Sequence, residues 1–140
     1  MGSYSIPVQE GTHTITPQFE NPSYFNVSPT NAVVSFPTEA TPFLQNFCIA
    51  PNGVHHDLEV VVIPLVPARP GFDATYKIKY KNKGNLNETA TINFNYNDNI
   101  LDFVSSSVAS TTQSAGMLSW DLGTIAPFQT GEIMVTLNVN

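Results

Sequence analysis

The sequence has little of what most enzymes and membrane-spanning proteins rely on. Its 140 residues include one cysteine, three histidines and five basic residues, and only 11% of the chain is charged. Because Cys48 is alone, no internal disulfide can form and packing must stabilise the fold. No apolar run approaches the roughly 20 residues that span a bilayer, and no charged-then-apolar signal sequence opens the chain. These absences predict no membrane insertion.

The scarce charge is mostly negative. Eleven acidic residues against five basic ones give a net charge of −6, which argues against nucleic-acid binding because that requires many unopposed Lys and Arg contacts. Ser, Thr and Asn together number 39, so hydroxyls and amides form the polar faces, and we expect an extracellular protein. Residues 1–3 read as a cloning leader and the rest as a piece of a longer protein.

Helical periodicity is missing, whereas short alternating runs bounded by Pro, Gly, Asn and Asp occur throughout. From residue 57 onward these runs predict strands at 58–63, 74–82, 88–96, 100–105, 117–122 and 132–139. With turn signals between them and one Trp, they indicate an all-β, immunoglobulin-like antiparallel β-sandwich for residues 53–140. Ten side chains are expected inside it: Tyr76, Ile78, Tyr80, Ile92, Phe94, Leu118, Trp120, Leu122, Val135 and Leu137.

Residues 1–52 form a second, smaller all-β domain by the same criteria. We expect a hairpin about Glu10-Gly11, a second pair of strands about residues 29–31, and a further apolar strand in which Cys48 is a buried, unreactive thiol. Five short strands make a thin core, so we expect this domain to be marginal on its own. Residues 50–57 are the predicted joint.

Three stretches carry a family resemblance. They are "YKIKYKNKGN", "LDFVSSS" and "LSWDLGTIAPFQTGEIMVTLNV". Residues 57–140 resemble the conserved repeat domain of bacterial cell-surface proteins, in the form found in large Bacteroidetes proteins exported by type IX secretion. The segment before it is similar to the closing strands of a prealbumin-like module of bacterial adhesins. The resemblance implies a secreted, non-catalytic β-sandwich. Family repeats often carry Pro-Gly before the last strand, whereas here Phe128 follows Pro127, so we expect a turn of different shape.

Four of the five basic residues recur at every second position within residues 72–85. They are Lys77, Lys79, Lys81 and Lys83. Because side chains alternate along a strand, the four lysines are expected on one face and apolar residues on the other. We predict that they face solvent and discourage a second sheet from docking. The alternative is a ligand surface for an acidic polysaccharide.

Metal-ligand types occur at two places. His55, Asp57 and Glu59 would share one face of an extended chain, but alternate residues lie about 6.8 Å apart, too far to close around one ion without further ligands. A second, oxygen-rich group offers possible calcium ligands: Asn95, Asn97, Asp98, Asn99 and Asp102. The calcium-loop pattern is missing there, so a turn is the better interpretation. We predict no metal and no cofactor.

No nucleophile–base pair, phosphate-binding loop or paired carboxylates can be found, so we do not expect an enzyme. Five aromatic residues lie near predicted turns or strand ends: Tyr4, Tyr24, Phe25, Phe43 and Phe128. Such rings either close the core or, when exposed, stack on sugars. The sequence therefore predicts a structural spacer or stalk module that contacts neighbouring domains of the same protein. A carbohydrate-binding or adhesin domain is the alternative.

Overall fold

A computed structural model describes residues 2–140, of which 51% lie in strands and 2% in helix. The chain divides into two compact units, with the boundary between Asn52 and Gly53. The prediction of an all-β protein is confirmed. In the part of the chain that the structure describes, the helical residues form a single 3-10 turn, Pro22–Tyr24, and no helix is long and apolar enough to cross a membrane.

The first unit contains two small antiparallel sheets. Its strands are β1 (Gly11–Ile15), β2 (Phe25–Ser28), β3 (Ala32–Phe36) and β4 (Cys48–Pro51). β1 pairs with β3, and β2 pairs with β4. Phe25 and Val34 are the buried apolar residues among those described in this unit. The hydrophobic core of the first unit is therefore thin, as its short strands predicted.

Two predictions for this unit are wrong. Residues 4–10 form no strand, so the hairpin about Glu10-Gly11 does not exist; Pro7 within it has no N–H to donate to a ladder. β2 and β3 do follow one another through residues 29–31, but each pairs with a different strand. Turn propensity located the strand ends, whereas pairing was decided by residues 17 to 26 positions away.

The buried thiol predicted at Cys48 is also wrong, because Cys48 is exposed. It lies on β4, whose four residues are all exposed. β4 belongs to a sheet of two strands, which buries little of the surface of either strand. The apolar sequence around Cys48 was therefore not sufficient to bury the thiol.

The second unit is a sandwich of two antiparallel sheets. Its strands are β5 (Leu58–Pro64), β6 (Asp73–Asn82), β7 (Glu88–Asn95), β8 (Leu101–Ser106), β9 (Thr112–Ser114), β10 (Met117–Ile125) and β11 (Thr130–Val139). One sheet has the order β5-β6-β11-β8 and the other β7-β10-β9. The last strand thus lies between β6 and β8, a place that the fifth strand takes in antibody constant domains.

Both sheets contribute to one core. Its buried members are Ile78, Leu118, Trp120, Ile133, Val135 and Leu137. Trp120 is 2% exposed, and its indole N–H donates to the carbonyl oxygen of Val108 at 3.0 Å. The ten predicted interior residues all belong to this core, five of them buried and five packed against it while partly exposed. That part of the prediction is confirmed.

The registers define two ends of this sandwich. β6 is antiparallel to both β5 and β11, so Leu58 lies opposite Asn82 and Asn138 lies opposite Asp73. We call the end at Asn82 the proximal end, where residues 53–57 reach the sandwich. The other is the distal end, where the N–H of Val139 donates to the carbonyl oxygen of Phe72 at 3.0 Å.

Candidate functional site

A polar network lies at the proximal end of the second unit, around Asn82. This residue is 0% exposed. Its side-chain amide donates to the carbonyl oxygens of Leu86 at 2.7 Å and Ile125 at 2.9 Å, and its side-chain oxygen accepts the N–H of Gly84 at 2.9 Å. A buried amide without partners costs about 1–3 kcal/mol. Asn82 is thus fully paired and ties the end of β6 to the end of β10.

Asn85 holds the chain that arrives from residue 53. Its side-chain oxygen accepts the N–H of His55 at 2.9 Å, and its side-chain amide donates to the carbonyl oxygen of Gly53 at 3.1 Å. Its own backbone N–H donates to the carbonyl oxygen of His55 at 3.1 Å. Three hydrogen bonds from one asparagine therefore fix two residues of the incoming chain, Gly53 and His55.

Gly84 lets the two segments approach. The N–H groups of Lys83 and Gly84 both donate to the carbonyl oxygen of Asp57, at 2.7 and 3.1 Å. A Cβ on residue 84 would stand 2.4 Å from the carbonyl oxygen of His55, a backbone atom that cannot move aside easily. Only glycine fits here. We name the contact between residues 82–85 and residues 53–57 the proximal clamp.

Two ion pairs flank the proximal clamp. His56 Nδ1 pairs with a carboxylate oxygen of Glu88, and Lys83 Nζ lies 3.1 Å from Glu59 Oε2. The side chains of His56 and Glu59 are 68% and 48% exposed. Because one partner of each pair is open to water, each pair contributes little to stability on its own. Their geometric effect is to hold the start of β5 against the end of β6 and the start of β7.

The clamp employs the residues that the sequence singled out as possible metal ligands. His55 and Asp57 are held through their backbone, and Glu59 is paired with Lys83. Within residues 2–140, no three His, Cys, Asp or Glu side chains stand close enough to hold a metal ion. The alternating spacing that suggested a metal site instead reflects a chain entering its strand.

The middle of the asparagine and aspartate group, residues 97–99, lies in the turn between β7 and β8, while Asn95 ends β7 and Asp102 belongs to β8. Asn97 Oδ1 accepts the N–H of Asn99 at 3.1 Å, and Asp98 Oδ1 accepts the N–H of Gly116 at 3.3 Å. Burial raises the pKa of the neighbouring Tyr96 hydroxyl, and the negative charges of Asp98 and Asp102 add to the rise. These oxygens therefore accept backbone N–H groups of their own loop and of the turn between β9 and β10, in agreement with the turn interpretation.

The lysine row is partly neutralised by neighbouring strands. β6 ends at Asn82, so Lys83 lies in the following turn rather than on the strand face. Lys77 Nζ lies 3.2 Å from Glu132 Oε2 on β11, and Lys83 pairs with Glu59. Lys79 is exposed, whereas Lys77, Lys81 and Lys83 are partly covered. The row is therefore less open to an acidic ligand than its sequence suggested.

The five candidate aromatic residues have different surroundings. Phe25 is buried and Tyr24 is half-buried, while Tyr4, Phe43 and Phe128 are 52%, 37% and 47% exposed. Tyr4 and Phe43 line one groove of the first unit, with a volume of about 900 Å³. Tyr4 also donates its hydroxyl to the carbonyl oxygen of Gln45 at 2.6 Å and packs against Phe47. The groove is a concave surface of the first unit.

Phe128 adopts an unusual backbone conformation. Its φ is 66°, in the left-handed region that favours glycine. The N–H of Gln129 donates to the carbonyl oxygen of Ala126 at 3.0 Å, so Pro127 and Phe128 occupy the centre of a tight turn with the backbone expected of Pro-Gly. The expectation of a differently shaped turn is therefore wrong, because Phe128 adopts the positive φ that glycine usually takes at this position. The N–H of Phe128 also donates to the carbonyl oxygen of Asn82 at 2.9 Å, so this turn contacts the proximal clamp.

The roles of Asn82, Gly84 and Asn85 were not predicted from the sequence. A signal was available, because Asn82 continues the apolar face of β6 after Tyr76, Ile78 and Tyr80. A polar side chain on an apolar face must find partners inside the protein.

Comparisons with protein-family models, with curated proteins and with solved structures find no match.

Proposed function

We propose that the chain is a non-catalytic spacer, or stalk, module of a secreted or cell-surface bacterial protein. The observation that carries this proposal is the path of the chain through the second unit. Residues 53–57 reach the sandwich at its proximal end, and Val139 leaves β11 at the distal end. The ten residues of β6 join these ends over roughly 30 Å. A module traversed in this way extends the protein by the length of its sheet.

The same path loads the sandwich along its strands. Tension applied at residue 53 and at Asn140 pulls β5 and β11 in opposite directions past β6, which lies between them. Seven residue pairs join β5 to β6 and nine join β6 to β11. Hydrogen bonds perpendicular to the strands then resist together instead of parting one after another. Such a geometry suits a module that carries load.

The proximal clamp supports the proposal because it makes the incoming chain stiff. Lys83, Gly84 and Asn85 together make five hydrogen bonds to residues 53–57, through backbone or side-chain atoms. A spacer that flexed freely at its joint would not set the distance between its neighbours. Fixing the chain before β5 begins removes that freedom on the side of the second unit.

Composition and resemblance supply the remaining support. Polar faces rich in hydroxyls and amides, a low charge content and the likeness of residues 57–140 to a repeat of bacterial surface proteins fit an extracellular module. Neighbouring domains of the same protein are the partners that a spacer requires. The ion pairs of Lys77 and Lys83 lower the charge available for an acidic polysaccharide.

Single-molecule pulling tests the proposal. Handles are attached to cysteines at Val54, which is 68% exposed, and at Asn140, in a Cys48→Ser background. We expect one cooperative unfolding step at high force. The matched control places the handles at Val66 and Phe72, two exposed residues of the distal β5–β6 loop, where pulling parts the ladder pair by pair. Equal unfolding forces for the two geometries would contradict the spacer role.

The groove of the first unit favours a second candidate function, glycan binding. Tyr4 and Phe43 expose rings in the same concavity, and exposed rings stack on sugar faces. A glycan array, read with calcium and with a chelator, tests this candidate. Binding that is lost in both Tyr4→Ala and Phe43→Ala, but retained in Phe128→Ala, would assign the protein to the carbohydrate-binding modules. An array without binding would leave the spacer as the sole proposal.

A further inference from the structure

The outer edge of β5 is unusually apolar. Among the residues that the structure describes, β5 pairs with β6 alone, and all seven residues of β5 are exposed. Seven aliphatic side chains on and just after this strand are between 37% and 56% exposed: Leu58, Val60, Val61, Val62, Ile63, Leu65 and Val66. They occupy both faces of the strand. An exposed, regular and apolar edge strand is a template for pairing with another chain.

The opposite edge of the same sheet is protected. β8 has six residues, includes Asp102, Ser105 and Ser106, and its pairing with β11 is interrupted by a register shift at Thr136. Charge and irregular pairing are devices that prevent edge-to-edge association. β5 pairs with β6 without any shift, and Glu59 is its one charged residue. One edge is thus guarded, and the other is left open.

We propose that β5 pairs antiparallel with β5 of a second copy of the chain, about a two-fold axis through Val61. A two-fold pair requires a self-complementary surface, and β5 supplies the same aliphatic residues on both sides of such an axis. The eight strands of the two wider sheets would then form one continuous sheet.

Side-chain direction selects the register. Directly opposed residues of an antiparallel pair point to the same face, so an even-numbered residue of β5 must face an even-numbered one. With Val61 opposite itself, Val60 faces Val62 and Leu58 faces Pro64 of the second copy. All seven residues of β5 then lie opposite a residue of the second copy, and Pro64 alone has no N–H to donate to the ladder. A centre at Val60 or Val62 leaves two residues unpaired at the strand end, so the Val61 centre buries the most apolar surface.

The charges agree with this arrangement. Glu59 would face Ile63 of the second copy, whose neighbour on β6 is Lys77. The two Glu59 carboxylates would stand about 14 Å apart along the strands, beyond the screening length of about 10 Å at 0.1 M salt. Parallel in-register pairing would instead place the two Glu59 side chains next to each other, which is unfavourable. No like charges on β5 oppose the antiparallel pair.

The size of the contact sets its strength. Seven residues per copy is well below the 20–30 residues a side of a standard interface. We therefore expect a weak dimer that forms at high concentration and dissociates on dilution. Because the strands are antiparallel, the proximal end of one sandwich would lie beside the distal end of the other.

Sedimentation of the full chain from micromolar to millimolar concentration tests the proposal. Val61→Lys places two lysines opposite each other at the axis and is expected to weaken the dimer at least about tenfold. Val104→Lys on β8, where Val104 is 48% exposed, is the control and should leave the dimer unchanged. Melting followed through Trp120 fluorescence checks that both variants are folded. A monomer throughout the range would overturn the proposal and leave the edge to a strand of another protein. Equal weakening by both variants would overturn it as well.

Cysteine cross-linking tests the register independently. In a Cys48→Ser background, Val61→Cys should form a disulfide-linked dimer under mild oxidation, because opposed residues at the axis have Cα atoms about 5.5 Å apart or closer. Leu58→Cys, which would face Pro64, should not. Cross-linking by Leu58→Cys in place of Val61→Cys would show that the proposed pairing is wrong.

Discussion

Asn85 and His55, thirty positions apart in the chain, are joined by two hydrogen bonds. The N–H of His55 donates to Asn85 Oδ1 at 2.9 Å, and the N–H of Asn85 donates to the carbonyl oxygen of His55 at 3.1 Å. This reciprocal pair fixes where the incoming chain meets the sandwich. A single substitution of Asn85 can therefore test the proximal clamp.

Asn85→Ala should loosen the incoming chain without unfolding the sandwich. His55 is only half-buried, so water can replace the lost partner, and we expect a loss of about 1 kcal/mol in the free energy of unfolding. Hydrogen exchange should show faster exchange at the His55 amide. Asn87→Ala, at an exposed position two residues on, is the control. Unchanged exchange at His55 would show that the clamp does not hold this segment.

Asn82→Ala should be more damaging than Asn85→Ala. Asn82 is 0% exposed, and its loss strands the carbonyl oxygens of Leu86 and Ile125 in a place where water has little access. We expect a loss of about 3 kcal/mol, from buried groups that cost about 1–3 kcal/mol each. Urea denaturation of both variants measures the order. A smaller loss at Asn82 than at Asn85 would contradict the role of burial.

Gly84→Ala tests the close approach in the clamp. The new Cβ would meet backbone atoms of His55 and Asp57 at 2.4 and 2.9 Å, so the two segments must separate. We expect a loss of several kcal/mol, on the order of that for other overpacked sites. Gly123→Ala is the matched control, because Gly123 has a φ of 61° and open space around it, which leaves backbone strain of about 1 kcal/mol. Similar losses for the two variants would argue against the steric explanation.

The left-handed conformation of Phe128 can be isolated by comparing two replacements. Phe128→Asn and Phe128→Val both remove the ring, but asparagine tolerates a positive φ and a β-branched residue does not. We expect the valine variant to be less stable than the asparagine variant by about 1–2 kcal/mol. Thermal or urea unfolding provides the comparison. Equal stabilities would indicate that the turn changes shape when Phe128 is replaced.

Tyr96 should give the protein a stability that falls at high pH. Its pKa is raised by burial first and by Asp98 and Asp102 second. A raised pKa in the folded state means that the unfolded chain loses this proton first, so stability is retained below pH 10 and declines as the pH rises beyond it. Melting temperatures measured across this range should fall more steeply for the native protein than for Tyr96→Phe. Parallel profiles would contradict the shift.

The strands of the second unit could be predicted because half-buried strands alternate with a period of two. β6 and β7 were found within one residue of their ends, and the buried face of β6 was assigned correctly. β9 was missed because its three residues, Thr-Gln-Ser, carry no apolar side chain. The alternation of apolar and polar residues therefore predicts a strand that is buried on one face, and it does not predict a strand without apolar side chains.

The sequence by itself determined that the chain is all-β, where most strands of the second unit lie, and which side chains fill their common core. Only the tertiary structure decided that β2 and β3 pair with other strands, that β5 is exposed on both faces, and that residues 82–85 clamp the incoming chain. The reason is the range of the interactions. Alternation depends on neighbouring residues, whereas strand pairing, edge position and the partners of Asn82 and Asn85 depend on segments up to 65 positions away, as between Asp73 and Asn138.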